Sequence, residues 1–359
     1  MVRMLPLAAL PSALERAAAH VSPAQCCQGV FVLLAAGVLA VNALPAGTRE
    51  RLLDYGARET GAAADATPKK RTKPATGSLE RVVAAVAART QVPHAWFASF
   101  YAVYLLCAFA WAVQWWGWQP AEGKIGADTH NVLAWIATKQ QQRETDGAEA
   151  GPAGGAPGDV VTLVQVYAAC GLEALQAARR LYEHAAVLRP SQSKMNAAHW
   201  IMGLVFYVCM SVAVWVEGAG AIVATKQAAY SAFLPSVAPM HQTAVWAKVG
   251  LGALLFLLAS LAQHRCHAHL ASLKKYTLPD DRLFRYVVCP HYTCEILLYL
   301  SLSVVAAPTG HLFNRTLLSS VFFVVPCLGV TADRTKQWYM DRFGAEQVAS
   351  KWKMLPFLF

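Results

Sequence analysis

Charge is scarce in this chain. Only 14% of its 359 residues are Asp, Glu, Lys or Arg, 56% are hydrophobic, and the mean hydropathy is positive. That balance excludes an ordinary soluble domain and marks an integral membrane protein. Acidic residues are the scarcer sign, 21 against 31 Lys and Arg, which leaves a formal net charge of +10. The basic residues sit beside apolar runs and form no interleaved basic and aromatic surface, so nucleic acid is not the expected partner. They read as topology signals and as candidate ligands for an anionic cofactor. The nine cysteines include no CxxC pair and no secreted-domain framework. Most fall inside apolar runs and behave as small buried hydrophobes. Two soluble fingerprints are also missing. Gly218-Ala219-Gly220 lacks a third glycine and lies at a span end, and no GxSxG turn occurs.

What the chain does contain is a series of apolar runs near the length a bilayer core demands. They lie at about Cys26 to Leu44, His94 to Trp118, Val160 to Ala178, Ala198 to Val216, Val245 to Ala262, His291 to Ala307 and Leu312 to Val330. The expectation is an all-α membrane bundle of about seven transmembrane helices, or six, because the third and sixth runs are short and not uniformly apolar. The chain divides into an N-terminal segment 1–25 and a first helix pair with its cytosolic loop, 26–118. A flexible lumenal insertion, 119–159, and a membrane domain, 160–359, follow. Residues 1–25 have some amphipathic character and leave a cleaved leader open. The middle of the 45–93 segment is rich in Gly, Ala, Pro and charge, and reads as mobile. The tail of the insertion has a linker's composition. Trp111, Trp115, Trp116 and Trp118 crowd one end of the second run, as interfacial anchors do.

With the N-terminus outside, the loops on the cytosolic side carry twenty-three Lys and Arg against seven on the other side. That asymmetry sets the orientation and places the C-terminus in the cytosol. An Asn314-Arg315-Thr316 sequon then falls on the opposite side, in a loop too short to suit glycosylation.

The stretch from Gln263 to Glu295 is where polar groups concentrate between two apolar runs. Ionisable side chains next to hydrocarbon need a partner or a watery cavity, so this stretch is a candidate site. The alternative is an ordinary positively charged cytosolic loop. His264, Cys266, His267 and His269 suggest a metal, but membrane di-iron enzymes need more histidines in several boxes, and no metal is assigned. Arg179 and Arg180 at the end of the third run are explained by the helix C-terminus and by topology, and are equally able to grip phosphates. Glu295, at the membrane boundary, is expected to accept from a buried donor or a cofactor group; a salt bridge to a neighbouring arginine is the plainer reading.

These residues carry a resemblance. Leu278-Pro279, Leu283-Phe284-Arg285-Tyr286-Val287-Val288, Cys289-Pro290-His291-Tyr292 and Glu295-Ile296 resemble the cofactor-side signature of the membrane steroid 5α-reductase family. Gln337-Trp338-Tyr339, Arg342-Phe343 and the terminal Leu355-Pro356-Phe357-Leu358-Phe359 match its ending. Val92-Pro93, Trp96-Phe97, Phe100-Tyr101, the Arg179 to Glu183 run and Gly203 to Tyr207 are most similar to its polyprenol reductase branch, as are Gln263, Cys266-His267 and Leu273-Lys274-Lys275. The similarity covers about 92–359 apart from 121–158.

The resemblance implies a seven-helix bundle of the endoplasmic reticulum membrane. It would bind NADPH from the cytosol and reduce the α-isoprene double bond of a polyprenoid on the way to dolichol, which supports protein glycosylation. Carried over by position, Gln263, His267, Lys274, His291, Glu295 and Tyr339 contact NADPH, Arg180 meets a phosphate, and Lys351 stands where the ending usually has Arg. Thr277 replaces a family arginine, leaving Arg282 or Lys275 to supply that contact. Thr335 and Lys336 stand where a His is common, and Gln347-Val348-Ala349 replaces a Tyr-Pro-Lys. The steroid branch's carbonyl-binding pair aligns with Phe100 and Ala177, so Tyr101 and His184 are taken as the catalytic donors. The partners expected are the polyprenoid substrate and the bilayer, with no obligate protein partner. A sterol or enoyl-lipid reductase and a non-catalytic lipid-binding protein are the alternatives.

Overall fold

The computed structural model describes residues 21–45, 48–49, 81, 85–86, 89–118, 131–149, 160–189, 193–228, 239–274 and 276–359. A leader in the first twenty residues, mobility of the 56–78 stretch and a role for Lys275 all lie outside the described residues.

The described chain is helical apart from short ribbons and loops. Its main elements are α1 (Pro23–Asn42), α2 (Ala98–Gly117), α3 (Val132–Glu149), α4 (Leu163–Tyr182), α5 (Ala197–Ala213), α6 (Ala219–Ala228), α7 (Pro239–Ser272), α8 (Pro290–Val305), α9 (Arg315–Phe343) and α10 (Ala345–Val348). Each apolar run read from the sequence is a helix. Among the described residues, five segments are long and apolar enough to cross a membrane: Pro23–Asn42, His94–Gly117, Ala197–Gln227, Gln242–Ser272 and Arg315–Phe343. The third and sixth runs do not reach that standard, so the count of seven is not established. α8 has 16 residues, and α4 carries Gln165, Glu173 and Gln176 on its buried face. The two glutamine amides are satisfied inside the bundle. Gln165 Nε2 donates to the carbonyls of Val305 at 2.9 Å and Ala307 at 2.7 Å, capping the end of α8.

Local signals set the helix starts. Ser22 with Gln25, and Thr162 with Gln165, form reciprocal capping boxes on α1 and α4. Asn314 caps α9: its Oδ1 accepts from Leu317 N–H at 2.9 Å, and its Nδ2 donates to the Ala306 carbonyl at 3.1 Å. The sequon asparagine is thus buried and used at both ends of its amide. Asn314→Ala is expected to cost about 1–2 kcal/mol and to lower the melting temperature in detergent, with Asn314→Asp recovering part of the loss. An unchanged melting temperature would show that the cap contributes nothing.

The insertion differs from the linker expected. Residues Val132–Glu149 form α3, reaching into the segment whose composition suggested flexibility. Leu133, Ala134 and Ala137 are buried at helical spacing, and α3 packs against α6, α2 and α1. Asn131 Oδ1 caps Ala134 N–H at 2.9 Å, and Gln140 Oε1 accepts from Ala24 N–H at 2.9 Å. Alanine and polar residues hid a narrow apolar stripe that needs only small side chains.

α7 and α8 make the most extensive helix pair, α9 packs against α1 and α8, and α2 packs against α4 and α5. Gly252 sets the closest approach in the α7–α8 pair: a Cβ there would lie 2.6 Å from Val305 Cγ2 and 3.0 Å from the Ser301 carbonyl. An antiparallel ribbon of β1 (Gln91–Pro93) and β2 (Lys194–Asn196) ties the start of α2 to the start of α5. The C-terminal residues fold back on themselves, with the N–H groups of Lys353, Met354 and Leu355 donating to the Phe359 carbonyl at 2.9–3.2 Å. Val288 N–H donates to Trp352 O at 2.8 Å and Cys289 N–H to Lys353 O at 3.0 Å, so the tail braces the loop that leads into α8.

Candidate functional site

The ends of α4, α7 and α8, together with α2, α5 and α9, enclose a cavity of about 580 Å³. One part of its wall is polar and comes from the ends of α4, α7 and α8. The other is apolar and aromatic, with Phe97, Phe100, Met202, Phe206, Phe323 and Val324 among its lining. Gly203 makes room on the apolar side, since a Cβ there would sit 2.5–2.9 Å from the Phe100 ring.

Glu183, just past the end of α4 in a π-helical turn, organises the polar wall. Its side chain is fully buried and receives Arg179 Nη1 on one oxygen and Arg180 Nη1 on the other. His264 Nδ1 lies 2.7 Å from Oε1 and His267 Nδ1 lies 2.8 Å from Oε2. The same His267 nitrogen is 2.7 Å from Arg180 Nη1, so it accepts from the guanidinium in one tautomer and donates to the carboxylate in the other. Burial pushes the Glu183 carboxyl up, but the hydrogen bond from His267 and the charges of His267, Arg180 and Arg179 outweigh it. The carboxyl is held below the usual carboxylate range. Sequence reasoning missed this residue, taking the Arg179 to His184 run as a helix-end cation cluster. The available signal was one carboxylate among those cations, with two imidazoles one turn apart on another helix.

Arg180 also reaches Tyr101. Its Nε donates to the phenol oxygen at 3.1 Å, and Cζ lies 5.1 Å from the ring centroid. A phenol oxygen that accepts from a cation keeps its own proton free to donate into the cavity. The His184 ring stands 5.6 Å from the Tyr101 ring. Burial and the neighbouring Arg180 charge lower His184 to about 4, so at neutral pH it is an uncharged imidazole.

Gln263 joins this cluster to α8. Its Oε1 accepts from Gln176 Nε2 at 2.9 Å and from Arg179 Nη2, while its Nε2 donates to Glu295 Oε2 and to the His291 carbonyl at 3.3 Å. Glu295 is therefore oriented by an amide, and the salt bridge to an arginine is not formed among the described residues. The His291 ring packs at a steep tilt against its neighbours, 4.3 Å from the Tyr292 ring and 5.5 Å from the His267 ring. Its Nδ1 is buried and has no hydrogen-bond partner among the described residues.

Tyr101, Arg180, His184, Gln263, His267, His291, Glu295 and Tyr339 all line the one cavity, although they come from five helices and a turn. Two further candidates stand elsewhere. Lys274 is exposed beyond the end of α7. Lys351 is buried against the loop that leads into α8, its Nζ 3.4 Å from the Pro279 carbonyl and 3.6 Å from Asp280. Arg282, offered as a replacement for the arginine missing at Thr277, is exposed beside Asp281. Of the residues that depart from the family pattern, Thr335 lines the cavity, whereas Lys336 caps the carbonyls of Ala349 and Lys351 at 2.8 and 2.6 Å.

The segment that supplies Gln263, His267, His291, Glu295 and Tyr339 also matches a known family. Residues 194–359 match the 3-oxo-5-alpha-steroid 4-dehydrogenase family. Among similar proteins, the polyprenal reductase of Saccharomyces cerevisiae is 32% identical over 181 residues, which cover 50% of this chain and 60% of the yeast protein. The polyprenal reductase of Caenorhabditis elegans is 30% identical over 184 residues, covering 48% and 54%. Polyprenal reductase 2 of Oryza sativa subsp. japonica is 27% identical over 209 residues, covering 51% and 56%. The chain thus spans little more than half the length of the curated relatives it matches. The branch of the family reached from the sequence is the branch these relatives belong to.

Proposed function

We propose that this protein is an NADPH-dependent polyprenal reductase of the endoplasmic reticulum membrane, saturating the α-isoprene double bond on the route to dolichol for protein N-glycosylation. The observation that carries this reading is the Arg180–Tyr101 pair, a charge-backed phenol where the polar and apolar walls of one cavity meet. An isolated alkene does not accept hydride, but an alkene conjugated to an aldehyde does if the developing charge on oxygen is stabilised. Polyprenal is for that reason the immediate substrate, ahead of the alcohol.

The polar wall fits a nicotinamide cofactor in its donor set. Arg180 supplies a cation for phosphate, the Gln263–Glu295 pair supplies an acceptor for an amide, and the unpartnered His291 Nδ1 awaits a polar group. When bound, NADPH supplies the hydride. Tyr101 donates its hydroxyl proton in a hydrogen bond to the aldehyde oxygen, and the uncharged His184 offers a second N–H to the same atom. The phenylalanines opposite exclude water and hold the prenyl chain.

Detergent-purified protein should oxidise NADPH with polyprenal and not with an enoyl thioester. Turnover of the thioester alone would assign a different lipid, and failure to bind the cofactor would make this a lipid-binding protein. Glu295→Gln is expected to weaken NADPH binding about 10- to 100-fold through loss of a charged acceptor with expression unchanged. Fluorescence titration reads this directly, and an unaltered Kd would remove Glu295 from the site. In cells, deletion should raise polyprenol at dolichol's expense.

A further inference from the structure

The apolar run of α9 ends near Val330, and the helix continues as a polar rod to Phe343, about 20 Å further along its axis. Beyond Gly344 and α10 the chain comes back along the same helix. Lys336 Nζ donates to the Ala349 and Lys351 carbonyls, and Lys353 Nζ lies 2.7 Å from Asp333 Oδ1. A Cβ on Gly329 would be 3.4 Å from Met354 Cε and 3.6 Å from Phe359 Cε1. Each contact lies closer to the start of α9 than the one before it, so the last residues return to the level at which the apolar run ends. Thr293, near the start of α8, holds them there by donating to the Met354 carbonyl. Two turns back on the same face of α9 Phe322 is exposed, and one turn further along α8 so is Leu297. The tail therefore lies where two helix faces that present apolar side chains outward reach the end of the membrane-length segment.

At that level the tail carries large apolar side chains that the described protein does not bury. Phe357 is 84% and Leu358 82% exposed. The Trp352 ring lies 5.8 Å from that of Phe357, and Trp352 N–H donates to the Tyr286 carbonyl at 2.8 Å. These contacts extend the surface to Tyr286, which is 69% exposed. Phe357 has a φ of +66°, a left-handed backbone that glycine adopts freely and a bulky side chain does not. The fold thus bears strain to keep an exposed aromatic ring at this point. Aromatic and aliphatic side chains grouped at the end of an apolar run have the composition of a membrane-interface belt. Charge has the smaller part. Lys351, Lys353 and Arg282 lie 3.6, 2.7 and 3.7 Å from Asp280, Asp333 and Asp281, which offsets their attraction for anionic headgroups.

We propose that Tyr286, Trp352, Phe357 and Leu358 form an interfacial surface that docks into the boundary between headgroups and acyl chains of the bilayer that α9 crosses. The Trp352 and Lys353 carbonyls also accept from Val288 and Cys289 N–H, so this contact steadies the loop that leads into α8. The test uses the full chain in liposomes of phosphatidylcholine, part of it carrying a diazirine near the carboxyl end of one acyl chain. After illumination, mass spectrometry of the wild-type protein should find lipid adducts on Trp352, Phe357 and Leu358 as well as on Phe322. It should find none on Gln347, exposed on α10 at the far end of the polar rod. Phe357→Ser combined with Leu358→Ser is expected to lower labelling of Trp352 and Tyr286 roughly 10-fold or more, because most of the buried apolar area is lost.

A tail free of adducts while Phe322 is labelled overturns the inference. So do tail adducts that appear only when phosphatidylserine is added, since headgroup charge would then be what attaches the surface. Unchanged Trp352 labelling in the double variant also counts against it, because Phe357 and Leu358 would not be the anchors. Leu358→p-benzoylphenylalanine separates the bilayer from a protein partner: crosslinks to lipid support the proposal, and crosslinks to a second copy of the chain in their place overturn it. If the substituted proteins do not fold, the adduct pattern on the wild-type protein decides.

Discussion

Glu183→Ala is expected to strip about 3–5 kcal/mol from the fold and to abolish cofactor binding. The carboxylate is fully buried, while Arg179 and Arg180 are only 16% and 13% exposed in their side chains, so the variant leaves two largely buried guanidinium groups without their counter-charge. An exposed ion pair would give at most about 1 kcal/mol, and a melting-temperature change that small would show that water already satisfies these groups. Glu183→Gln keeps the shape and one acceptor, and should fall between the two.

Acidification gives the same cluster a second signature. Glu183 is held below its ordinary range when folded, so its stabilisation is present above the unfolded carboxylate value of about 4.3 and is lost as pH falls through the lower folded value. His184 is also depressed, to about 4. Its contribution is complete above the unfolded value of about 6.5 and is lost as pH falls from there towards the folded value. Wild-type protein should therefore lose stability in two steps on acidification, and Glu183→Ala should lack the lower one.

Tyr101→Phe should lower kcat on polyprenal by about 100- to 1000-fold while leaving the Kd for NADPH within a few-fold. The variant removes the hydroxyl proposed to face the aldehyde and keeps the ring that packs on Arg180 and, edge to face, on Tyr207. Binding and turnover must be measured separately, because Arg180 also loses an acceptor. Equal losses in both would make Tyr101 a support for Arg180, and unchanged turnover would end its role as donor.

Much of the architecture was readable before any coordinates. Apolar run length is a local feature and was read directly; the Ser22 and Thr162 capping boxes and the Asn314 cap, which set where α1, α4 and α9 begin, are also local but were found only in the structure. α3 was not readable, because its buried stripe is built from Leu133, Ala134 and Ala137, which are too small and too sparse to distinguish a helix from a linker. Positional carry-over found most of the cavity wall. Lys274 and Lys351 stand outside that wall, because a match in sequence says nothing of where a long side chain is directed.

By itself, then, the sequence determined that this is a helical membrane protein with its polar residues gathered at one set of helix ends. Hydrophobic length and capping are set within one or two turns of chain. Only the tertiary structure decided who pairs with whom. Glu183 meets His264 and His267 from 81 and 84 residues away, and Gln263 is held between α4 and α8 by hydrogen bonds to both. Such pairings depend on how far each helix is rotated about its axis, and close contacts such as Gly252 on Val305 set that rotation.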